Sequence, residues 1–186
     1  MNKIYRIIYI LILTFISIND LPAQIIVIVN MQNSISSLSL NELKEIYTAD
    51  VVQWESVNGY GEYITLLDYK RKSEVADKYF MTVANLSHAK IRLEWIGKML
   101  TGKIQRVPIK CSSENELIKC VPTNAGAIGF IDVLQINKLP HSVKIVKINN
   151  KNFTNTDYPF SLNQFGNSKT KTLVISKILN NYKLLL

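Results

Sequence analysis

Hydrophobic and polar positions along the chain fall into short, punctuated blocks. Ile25–Val29 (IIVIV) is a continuous β-branched run, the pattern of a central strand buried on both faces in a parallel or mixed sheet. Asn30 ends it. Ser39 with Glu42 is a capping box, and Leu43, Ile46 and Tyr47 then share one face of a helix running to about Tyr47. Val51–Trp54 and Gly59–Gly61 form a turn-rich connection. A second buried strand is expected over Ile64–Leu67, followed by a polar turn carrying Lys70, Arg71 and Lys72. Ser73 then caps a helix in which Val75, Ala76, Tyr79, Phe80 and Val83 follow at helical spacing.

Asn85–Ser87 breaks that helix. Ser87 caps the next one, to about Leu100, with Ile91, Trp95, Ile96 and Met99 as its apolar stripe, and Thr101-Gly102 stops it. Gln105–Lys110 reads as a short strand. Ser113 with Glu116 is a second capping box, opening a helix that turns Leu117, Ile118 and Val121 inward. Pro122-Thr123-Asn124 turns the chain into an apolar strand, Ala125–Ile131, where Gly126 and Gly129 allow close backbone approach. Val143–Ile148 is a further strand, Asn149–Asn155 a polar turn region, Tyr158-Pro159 an extended corner and Thr172–Leu184 a C-terminal helix. Strands alternating with capped helices predict an α/β domain: a layered, mostly parallel sheet with helices on both faces. In such sheets ligands bind at the carboxyl ends of the strands, and the Lys70–Ser73 turn lies at such an end.

The N-terminus changes the picture. Lys3 and Arg6 precede an apolar run, Ile7–Ile18, and Leu21-Pro22-Ala23 offers a small residue for cleavage before Gln24. This is the pattern of a secretory signal peptide, too short to span a bilayer, so the domain is expected over residues 24–186 and the location in a periplasm or outside the cell. An uncleaved membrane anchor is the rival reading. With Lys3, Arg6 and Asp20 set aside from the 22 basic and 14 acidic residues, 20 Lys and Arg remain against 13 Asp and Glu, a net charge of about +7. Nucleic acid is not expected as a partner outside the cytoplasm, and the lysines are dispersed rather than clustered. An oxidising compartment allows a disulfide between Cys111 and Cys120. Nine helical residues would hold their Cα atoms roughly 13 Å apart, against about 4.4–6.8 Å for a bridge, so two buried thiols are expected.

Enzyme chemistry finds no support. His88 and His141 lie outside any H-x-x-x-H or C-x-x-C pattern and read as surface imidazoles, so neither a metal nor another cofactor is implied. There is no G-x-S-x-G elbow and no phosphate-binding nucleotide loop. Glu42, Glu45 and Asp50 are helix-face or turn carboxylates with no acid–base pairing. What remains is the turn. Ser73 Oγ, the N–H groups of Glu74 and Val75, and the cations of Lys70, Arg71 and Lys72 could capture an anion at a helix N-terminus. The same residues also read as an ordinary Ser cap after a solvated basic turn, and Glu74 places a negative charge where an anion would sit.

Seven pieces, in order, carry a family resemblance: IIVIVN (25–30), SLSLNELKEIY (37–47), Trp54, the Ser73 helix start with Phe80, LTGK (100–103), TNAGAIGFID (123–132) and VKIVKINNKNFTNTDYPFSL (143–162). Together they resemble the substrate-binding proteins of phosphate ABC transporters, in their short phosphate-binding-protein-like group. The resemblance implies a type 2 periplasmic-binding-protein fold, reduced relative to full-length two-lobe members. It implies a non-catalytic solute-binding module that takes phosphate or a related small anion and works with a membrane transporter. Full-length members also carry an earlier segment with a Gly-rich, Ser/Thr-containing loop, and a Ser-Gly-Thr preceded by Arg. Here Ser73 matches the Ser, Glu74 and Val75 replace Gly and Thr, and the equivalent Arg is absent, leaving Arg71 or Lys70 to serve in its place. The alternative is an envelope interaction protein that keeps the fold without the ligand.

Overall fold

The computed structural model describes residues 24–161, apart from Asn58, Tyr60 and Gly61. The leader expected over residues 1–23 and the helix expected over 172–184 lie outside the described residues. The strands are β1 (Ile25–Asn30), β2 (Ser37–Leu38), β3 (Thr65–Tyr69), β4 (Ile109–Cys111), β5 (Ala127–Asp132) and β6 (Val143–Ile148). The helices are α1 (Leu40–Tyr47), α2 (Glu74–Ala84), α3 (His88–Leu100) and α4 (Glu114–Cys120).

The strands form one sheet in the order β2-β6-β1-β5-β3-β4. β1 pairs antiparallel with both β5 and β6, while the other three pairings are parallel, so β1 alone runs against the rest. The sheet is thus mostly parallel, as expected. Every residue of β1 is buried, which is what a continuous β-branched run requires when helices cover both faces. Alternation along β5 separates those faces. Phe130 points to one side, where its ring stacks on Tyr79 at 3.9 Å between centroids and meets Tyr47 and Phe80 edge-on. Gly129 faces the other side, where an added Cβ would lie 2.6 Å from Leu117 of α4. So α1 and α2 pack on one face, joined by α3 against α2, and α4 packs on the other.

Local signals explain the helix boundaries. Ser39 and Glu42 form both bonds of the capping box. Ser73 accepts from Ala76 N, Ser87 from Lys90 N, and Asn85 and Gly102 close their helices with φ of 55° and 71°. The second box is only half formed: Ser113 Oγ accepts from Glu116 N, but the Glu116 carboxylate turns to Ser112 N at 2.6 Å.

Some expectations shift. β3 begins at Thr65 and continues to Tyr69, two residues beyond the expected end, because Asp68 is paired inside the fold. The strand expected from Gln105 forms only at Ile109, after Pro108, which has no N–H for a ladder. β5 runs from Ala127 to Asp132, with Ala125 and Gly126 in the preceding turn. On α3, Ile91 and Trp95 are buried, but Ile96 and Met99 are 48% and 43% exposed, since only one flank of this helix meets α2. The two cysteines require a further correction. Both are free, and Cys120 lies near enough to Cys111 to act on its thiol. Cys111 ends β4, and two bent residues, Ser112 and Ser113, separate it from α4, so the path between the cysteines is not one straight helix. Burial, then the neighbouring Cys120, pushes the Cys111 thiol up to about 12. Cys120 is half-buried rather than buried.

Candidate functional site

The Lys70–Val75 turn is set by what lies directly beneath it. Asp68, the fourth residue of β3, is fully buried on the α3 side of the sheet. Its Oδ1 lies 2.7 Å from His88 Nε2, and its Oδ2 lies 2.5 Å from Lys110 Nζ and 3.3 Å from Arg92 Nε. His88 and Arg92 stand one turn apart on α3, and Lys110 comes from β4. One carboxylate therefore ties the end of β3 to a helix and to the neighbouring strand. Burial pushes the Asp68 carboxyl up, but hydrogen bonds from His88 and Lys110 outweigh it and hold the group below the usual carboxylate range.

The expectation of a surface imidazole fails for His88. It is 3% exposed, stacked on Phe80 at 5.2 Å, and its backbone N–H donates to Asp77 Oδ1 of α2 at 3.3 Å. Its position at the first residue of α3 looked like a polar boundary, but α2 and β3 enclose that boundary. His141 is exposed, as expected. Sequence reading missed the whole Asp68–His88–Arg92–Lys110 cluster. The only available signal was an Asp inside an otherwise apolar strand, TLLDY, which has to find a cation if it is buried.

From this base the chain leaves the sheet under control. The Lys70 N–H donates to Cys111 O at 2.7 Å, and the Arg92 guanidinium donates to Tyr69 O. The side chains of Lys70, Arg71 and Lys72 are then exposed, and none of the three is ion-paired among the described residues. Ser73 is half-buried at the N-cap of α2, with its Oγ 3.3 Å from Ala76 N. The first intrahelical bond runs from Asp77 N to Ser73 O, so the N–H groups of Glu74 and Val75 have no intrahelical acceptor. All six residues of the expected site thus share the carboxyl end of one inner strand.

Acids flank this corner. Asp132 ends β5, and burial raises its carboxyl above the usual range, with Glu114 and Glu74 adding to the rise and the Leu134 N–H and Lys78 opposing it. Glu114 in turn accepts from Asp132 N at 2.8 Å. The turn is therefore cationic on its outer side and acidic toward β5. Among the described residues, no group of three His, Cys, Asp or Glu is placed to hold a metal ion.

The fold as a whole has counterparts among solved structures. A receptor for ABC-type phosphate transport from Vibrio cholerae superposes with a TM-score of 0.59 at 14% identity, covering 86% of this chain and 68% of that one. The chain has a phosphate-binding-protein-like fold. PstS from Borrelia burgdorferi aligns with a TM-score of 0.58 at 16% identity over 70% of this chain and 49% of its own. A structure described as a phosphate ABC transporter substrate-binding protein with bound phosphate, from Clostridium perfringens, gives 0.56 at 19% identity over 70% and 46%. The chain thus spans about half the length of two of these proteins and two thirds of the third. No protein-family model and no curated protein matches the sequence.

Proposed function

We propose that this chain is an exported solute-binding module. It would hold a small oxyanion of the phosphate kind at the Lys70–Val75 turn and present it to a membrane transporter without altering it. The observation that carries the reading is the placement of the turn. Three cations with no ion pair among the described residues and two backbone N–H groups without intrahelical acceptors gather at the carboxyl end of an inner strand, where sheets of this class hold ligands. The fold likeness to proteins described as phosphate-binding supports the choice of anion. Ser73 Oγ accepts from Ala76 N, which leaves its own O–H to donate to a bound oxygen. Lys70 and Arg71 supply charge-assisted bonds, and Glu74 opposes them, so the affinity is modest. The leader pattern over residues 1–23 supports export, with residues 24–186 as the mature domain. No helix among the described residues is long and apolar enough to cross a membrane.

Isothermal titration of the mature chain with phosphate, sulfate and methylphosphonate tests the proposal. Saturable heat with phosphate, weakened by Ser73→Ala and strengthened by Glu74→Gln, is the expected result. No heat and no thermal shift at about 10 mM anion would overturn it, since that corresponds to less than about 3 kcal/mol of binding free energy.

A further inference from the structure

At the opposite end of β3 the surface opens into a cleft of about 270 Å³. Its walls are Ile46 of α1, Val52, Leu66 of β3 and Ile104 in the segment leading to β4, with Lys103 and Arg106 also lining it. We propose that this cleft is a second binding site, for a small amphiphilic carboxylate whose apolar tail fills the cleft and whose head meets Arg106 and Lys103.

Charge and chemistry select that ligand. None of the residues lining the cleft is Asp or Glu. Asp50, between the lining residues Ala49 and Val51, is taken by Lys98, whose ammonium lies 2.5 Å from it and also donates to Thr48 O at the end of α1 at 2.7 Å. Lys103 lowers the Asp50 carboxyl only after Lys98 and Thr48 have done so. Arg106 is exposed and has no ion pair among the described residues. A cleft with mainly apolar walls, broken by Thr65, Gln105 and Asn124, and with two cations in its lining pairs with a molecule that is apolar along its body and anionic at one end. At about 30 Å³ for each water-sized group, the volume holds roughly nine heavy atoms, close to the ten of octanoate. A bare phosphate would leave the apolar walls unfilled.

Two helix ends frame the opening. Ala49 follows α1 with φ of 59°, a left-handed conformation that costs an alanine free energy, and Gly102 follows α3 with φ of 71°. Both line the cleft. The chain thus holds one unfavoured backbone conformation, that of Ala49, in the lining of this cavity. Thr65 and Tyr69 lie four residues apart on β3, about 13 Å along the strand, so the cleft and the Lys70–Val75 turn can be occupied together.

The test is a titration of the ¹⁵N-labelled full chain with sodium octanoate, followed by amide correlation spectra. The expected result is saturable shifts at Val52, Leu66, Ile104 and Arg106, with Ser73 and Glu74 unmoved. Octylammonium, equal in length and opposite in charge, should bind at least about tenfold more weakly, as should octanoate to an Arg106→Glu variant. Arg106 is exposed, so that variant keeps the fold, and Arg106→Lys should recover most of the affinity. Three results would overturn the proposal: octylammonium binding as tightly as octanoate, shifts gathered at Ser73–Val75, or no saturation below about 10 mM. Phosphate titrated in parallel reports on the turn separately, so failure at one site is distinguishable from failure at the other.

Discussion

Replacing Asp68 with Asn probes the bond network that holds the candidate site in place. The substitution keeps the shape and removes the charge. Asn retains one oxygen, which can still accept from His88, but its NH₂ group then faces the ammonium of Lys110 and the guanidinium of Arg92, donor against donor. Hydrogen bonds to charged groups contribute about 1.5–3 kcal/mol each, and breaking a buried ion pair costs about 3–5 kcal/mol. The partners are unequal. The side chains of Arg92 and Lys110 are 28% and 35% exposed and can turn to water, whereas that of His88, at 4%, cannot. This places the loss near the lower bound, about 2–3 kcal/mol at pH 7, or a fall in Tm of about 4–12 °C. Urea unfolding followed by the fluorescence of Trp54 and Trp95, both buried, measures it directly. The pH dependence supplies a second check. The folded-state pKa of Asp68 lies below its unfolded value, so its stabilisation is fully present above about pH 4–5 and is lost as pH falls through the folded value. Wild type and Asp68→Asn should therefore converge in acid. A loss under about 1 kcal/mol at pH 7, or a gap that persists undiminished in acid, would refute the reasoning.

Three further outcomes follow from the same structure. Asp132→Asn keeps the acceptor for Leu134 N and removes a carboxyl that burial, Glu114 and Glu74 push upward; a raised folded pKa costs stability once pH exceeds it, so the variant should be the more stable at pH 7 and indistinguishable near about pH 2, by urea midpoints. Gly126→Ala should destabilise more than Gly129→Ala, because the first Cβ meets the Tyr63 carbonyl oxygen at 2.1 Å and the second the end of the Leu117 side chain at 2.6 Å, which can rotate; the second should cost about 1–3 kcal/mol in thermal melts. Ser73→Ala should lose about 1 kcal/mol as a cap without altering the sheet, read as faster amide exchange confined to the first turn of α2.

Much of this architecture was legible in the chain itself, because its signals are local. A run such as IIVIV needs cover on both faces whatever surrounds it, and Ser39, Ser73 and Ser87 bond to N–H groups only three residues ahead. For the same reason the strand-end turn at Lys70–Ser73 could be placed before any contact was known. The tertiary structure alone decided what depends on residues distant in sequence. It brought Asp68, His88, Arg92 and Lys110 together from two strands and a helix, burying a histidine that its helix-start position had marked as exposed. It set Cys120 near enough to Cys111 to raise that thiol, where a straight helical count kept the two apart. It also placed Lys103 and Arg106 beside residues of α1 and β3 around one cleft. Caps and β-branched runs act within a turn or a strand; charge pairing and clefts arise only when packing brings distant segments into contact.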